Sequence, residues 1–95
     1  MVENIDDITI NYENESGEQV VKELDKKILS RGAWTTIMFK YQDLDRKTGD
    51  YGPSKVTIRR YRKSGGHYRQ QSKFNISNQK QAQMIADTLT GWFTG

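Results

Sequence analysis

The chain has no cysteine, one proline, one histidine and, from Lys55 through Ala86, no acidic residue. Without cysteine there is no disulfide framework, no thiolate metal site and no cysteine nucleophile. That composition suits a reducing cytosol. A lone histidine without cysteine does not make a structural zinc site. No apolar run approaches the roughly 18 residues of a membrane-spanning helix. The start, MVENIDDITI, lacks the basic and apolar regions of a signal peptide. The expectation is a cytoplasmic protein with no membrane partner. The Asn-x-Ser triplets at Asn14 and Asn75 then carry no glycosylation reading.

With 95 residues there is room for one domain. A chain this short buries only about 60–65% of its unfolded surface, so its core is thin and a second copy would help to cover it.

The net charge of +3 conceals a split. Residues 1–18 carry six acids (Glu3, Asp6, Asp7, Glu13, Glu15, Glu18) and no Lys or Arg. Residues 19–95 carry fifteen basic and six acidic residues, a net of +9. The pattern reads as an acidic, flexible N-terminal tail (1–18) on a basic domain (19–95). A body so charged attracts polyanions at low salt.

Strand signals dominate the basic part. Trp34 to Leu44 and Lys55 to Lys63 are rich in β-branched and aromatic residues, and His67 to Ser77 follows after Ser64-Gly65-Gly66, a hairpin turn. Residues 20–31, VVKELDKKILSR, fit a helical stripe through Val20, Val21, Leu24, Ile28 and Leu29, but also a strand alternation, so both remain open. Residues 78–93 predict a helix, with Ser77 or Asn78 as its cap and Gln81 three residues after Asn78 in the manner of a capping box. Ala82, Ile85, Leu89 and Trp92 or Phe93 form its apolar stripe.

Sorting the strands by alternation gives an expected core of Ile37, Phe39, Val56, Ile58, Phe74 and Ile76 beneath this helix. The other face then presents Trp34, Met38, Lys40, Arg59, Tyr61, Arg69 and Lys73, with Arg60 and Arg62 on the core side near the sheet end. Cations interleaved with flat apolar groups suit single-stranded nucleic acid: Lys and Arg follow phosphates while rings stack on bases. The plainer reading is a solvated basic hairpin.

The order of these segments resembles the single-stranded-DNA-binding domain of the transcriptional coactivator PC4, especially its short bacterial homologues. The resemblance spans residues 20–93 and rests on KKILSRGAW, WTTIMFKYQDL, PSKVTIRRYRK and SKFNIS leading into a C-terminal helix. It departs from the family where Lys73 is followed by Phe74 and Asn75 in place of a Lys-Gly step. The resemblance implies an α+β fold, a four-stranded antiparallel sheet followed by one helix (ββββα), with VVKELDKKILS as the first strand. It also implies a homodimer formed through helices and sheets, with a nucleoid-associated location in a bacterium. The implied activity is non-enzymatic binding of single-stranded DNA with low sequence specificity, in transcription or DNA maintenance. Trp34, Lys40, Lys55, Arg59, Tyr61 and Lys73 are the residues it carries over; Met38 and Arg69 come from strand alternation. Pur-type repeats, which bind RNA or DNA with four strands and one helix, are a near alternative.

Nothing else in the chain points to catalysis or a cofactor. His67 follows a turn and reads as solvated. Ser64-Gly65-Gly66 is too short for a phosphate-cradling loop. Asp43, Asp45 and Asp50 lack the calcium-loop pattern of an EF-hand. The rival function is a protein-interaction module whose basic hairpin docks on an acidic partner.

Overall fold

Strand geometry prevails over residues 19–30, where the sequence fits two periods. In the computed structural model, which describes residues 3–94, they form the long strand β2 (Gln19–Ser30). Its pairing with β3 (Trp34–Asp43) slips at Leu24 and again at Leu29, each left without a partner. The two bulges break the period of two and give the segment its helix-like spacing of apolar residues.

β4 (Lys55–Ser64) and β5 (His67–Ile76) follow as a hairpin. Ser64 pairs with His67 across Gly65 and Gly66, whose φ angles are +59° and +82°. Two successive residues at positive φ are the signature of a type I′ turn, which only glycine adopts here without strain. A two-residue strand, β1 (Tyr12–Glu13), pairs with the start of β2. The result is one antiparallel sheet in the order β1-β2-β3-β4-β5, curled into a half-barrel and followed by helix α1 (Gln79–Thr94). The sheet therefore has five strands, one more than the four expected.

Asn78 caps α1 as its sequence predicts. The Gln81 backbone N–H donates to Asn78 Oδ1 at 2.8 Å, and the Gln81 side chain accepts from the backbone N–H of Ser77 at 2.7 Å. These bonds satisfy donors at the open helix end.

The core corrects two expectations. Its cover is the N-terminal segment, not the helix. Ile8 and Ile10 are 3% and 6% exposed and pack with Ile37, Phe39, Tyr41 and Tyr61, while Ile5 adds a partly buried side chain. Polar contacts fix the segment. Lys26 Nζ donates to the carbonyls of Asp6 and Ile8 at 2.7 and 2.8 Å, and Glu23 accepts from the Thr9 hydroxyl at 2.7 Å. Thus the acidic stretch expected as a flexible tail supplies core side chains, because three isoleucines at Ile5, Ile8 and Ile10 outweigh its polarity.

Helix α1 buries no residue. It meets the sheet only near its start, where Gln79 and Ala82 line a shallow recess with Lys40, Val56 and Ile76. Met84, Leu89, Trp92 and Phe93 are exposed. Of the stripe expected to cover the sheet, Ala82 meets it at this recess, while Leu89, Trp92 and Phe93 stand exposed.

Candidate nucleic-acid interface

The register decides which side chains share a face, since each slip of one residue reverses a strand. Ile37 stands opposite Arg59, and Phe39 opposite Thr57. The even-numbered residues of β3 and β4 therefore lie together. One face, left open by the N-terminal segment, carries Trp34, Thr36, Met38 and Lys40 opposite Arg62, Arg60, Ile58 and Val56. β5 continues these rows with Arg69, Ser72, Phe74 and Ile76.

The open face has two halves. Next to α1 it is apolar, with Met38, Val56, Ile58, Phe74 and Ile76. Towards the Gly65-Gly66 turn it is cationic, with Arg60, Arg62 and Arg69 around Trp34. The Arg60 guanidinium lies 4.5 Å from the Trp34 ring centre and that of Arg62 lies 5.3 Å away. Both distances fall within cation–π range. Trp34 is nevertheless 41% exposed.

The residues expected to share one surface are thereby divided. Trp34, Met38, Lys40 and Arg69 belong to the open face; Lys55, Arg59, Tyr61 and Lys73 belong to the opposite, covered face. Two physical causes separate them. First, β3 and β4 pair odd with odd, whereas matching their most apolar sets pairs odd with even. Second, Gln71 is an extra residue in β5: Arg60 pairs with Ser72 but Tyr61 with Gln70. This bulge puts Arg69 and Lys73 on opposite faces despite their even spacing. Arg60 and Arg62, assigned to the core side by alternation, join the open face instead.

Tyr61 is 6% exposed and belongs to the core, so its ring does not meet a ligand. Burial pushes its phenol pKa above the ordinary value, against the opposing pull of the Arg59 charge. Lys55 is committed to Asp43 at 2.9 Å; that hydrogen bond and the carboxylate charge hold its ammonium pKa above the usual value. Arg59 donates to Gln70 at 3.0 Å, and its Nε has no partner. Lys73 is exposed.

Among the described residues, no carboxylate forms an ion pair with the arginines of the cationic end, although Glu3 lies 4.0 Å from His67 beside the turn. Among the described residues, ion pairs within 4.0 Å join Arg31 to Asp6, Lys55 to Asp43 and His67 to Glu3. None involves Arg60, Arg62, Arg69, Lys40 or Lys73. No group of His, Cys, Asp and Glu able to hold a metal occurs among the described residues. No helix among them is long and apolar enough to cross a membrane.

No protein-family model matches the chain, and neither a curated protein nor a solved structure matches it. The functional reading rests on the chain's own residues.

Proposed function

We propose that this protein is a non-enzymatic binder of single-stranded DNA, or of RNA in the same extended form, with low sequence specificity, and that it works as a homodimer. One observation carries the reading: an exposed tryptophan braced by two arginines, neither of them in an ion pair among the described residues, on an open sheet face. A single strand exposes both of the groups such a surface takes, phosphates for the guanidiniums and a base for the ring. A duplex buries its base faces and leaves an exposed indole without a partner.

The homodimer follows from apolar surface. Much of the helix stripe is exposed, and on the apolar half of the open face Phe74 is exposed and Met38, Val56 and Ile58 are half-buried; exposed apolar patches mark interaction sites. A two-fold assembly lets each helix cover the other chain's sheet, using both surfaces at once. Titration with single- and double-stranded oligonucleotides at two salt concentrations tests the ligand class.

A further inference from the structure

The β4–β5 hairpin breaks a pairing rule twice. Arg62 stands directly opposite Arg69, and Arg59 directly opposite Lys73. Like charges in direct cross-strand pairs repel and weaken a sheet. The two pairs lie on opposite faces, and no carboxylate among the described residues forms an ion pair with any of the four. Two unneutralised cation pairs on one hairpin are a cost to folding that a bound polyanion removes.

Their position is specific. β5 is the last strand of the sheet, so its outer edge is open, and residues 69–75 are exposed along it. The pairs are three residues apart on β4, about 10 Å at strand rise. The Gln71 bulge falls between them and turns the edge locally.

We propose that a single strand is held astride this edge, with phosphates on Arg62 and Arg69 on one face and on Arg59 and Lys73 on the other. The proposal deepens the single-strand reading and rests on it. A flexible strand passes around one β-strand; a duplex, with a persistence length of about 150 base pairs, does not. The arrangement reunites residues that the register had divided between two faces, and it selects single strands by stiffness as well as by base exposure.

The test uses the full chain, a labelled oligo-dT and a salt series, with Arg69→Gln, Lys73→Gln and the double variant. Each phosphate contact on a single strand adds about 0.7 to the slope of log affinity against log salt. The expected result is a slope reduced by about 0.7 in each single variant and by about 1.4 in the double. Circular dichroism and Tm, unchanged or raised as repulsion is relieved, exclude unfolding as the cause. If wild type binds but Lys73→Gln leaves its slope intact, the strand stays on one face and the proposal is overturned. If both variants bind as wild type and begin to self-associate, the charges only guard the edge against pairing, and the proposal is overturned too. Failure of wild type itself to bind at low salt overturns the single-strand reading, a distinct result.

Discussion

The Arg60 guanidinium lies 4.5 Å from the centre of the Trp34 ring, two residue pairs along from Arg62, which faces Trp34 directly. The indole is thereby held against the sheet while remaining 41% exposed. A ring fixed in this way stacks on a base with little further loss of side-chain freedom. Trp34→Ala is expected to weaken oligo-dT binding by about 1–3 kcal/mol, roughly five- to 150-fold, with an unchanged salt slope. Anisotropy titrations at several salt concentrations measure both quantities; a flattened slope with unaltered low-salt affinity contradicts the stacking role.

Tyr61 gives a prediction of opposite kind, because it is core. Tyr61→Ala is expected to destabilise the fold by roughly 3–5 kcal/mol, as for other large aromatic truncations. Tyr61→Phe is expected to leave oligonucleotide binding unchanged. The raised phenol pKa has a sign. In the unfolded chain the phenol ionises near pH 10, and in the folded chain it ionises higher. Its contribution is therefore fully present below about pH 10 and is lost as pH rises towards the folded value. Ultraviolet titration should show a late phenol ionisation that Tyr61→Phe removes.

Much of the element order is legible in the sequence, and the division into faces is not. The hairpin is announced by Gly65-Gly66 and the helix start by Asn78 with Gln81. Strands β3 and β4 follow from their β-branched and aromatic content, and β5 from its place after the turn. The bulges at Leu24, Leu29 and Gln71 leave no mark in composition, yet each inverts the alternation beyond it. Apolar residues also occur on both faces: Ile37 and Phe39 meet the N-terminal isoleucines, whereas Val56, Ile58 and Phe74 face the other way. Gathering all of them into one core moves Tyr61 outward and Arg60 and Arg62 inward. The cover over Ile37 was equally hidden, because six acids mask Ile5, Ile8 and Ile10.

That cover is testable. Ile8 is 3% exposed, so Ile8→Ala is expected to cost roughly 2–5 kcal/mol of stability. Urea denaturation measures it. A loss below about 0.5 kcal/mol, the usual size of a surface substitution, means that the segment does not cap the sheet.

Trp92 and Leu89, 76% and 45% exposed, lie on the exposed part of the helix stripe. Leu89→Asp is expected to shift the protein from dimer to monomer at micromolar concentration, read by sedimentation velocity. Wild type that sediments as a monomer across the same range contradicts the homodimer.

The central claim is that the basic sheet end binds single strands through phosphates and a stacked base. Parallel titration of oligo-dT and a duplex of equal length, at low and at near-physiological salt, tests it most directly. The account predicts affinity for oligo-dT of about micromolar or tighter at low salt, a steep loss as salt rises, and weaker binding of the duplex. Equal, weak binding of single strand, duplex and heparin, or affinity for oligo-dT that ignores salt, would contradict it.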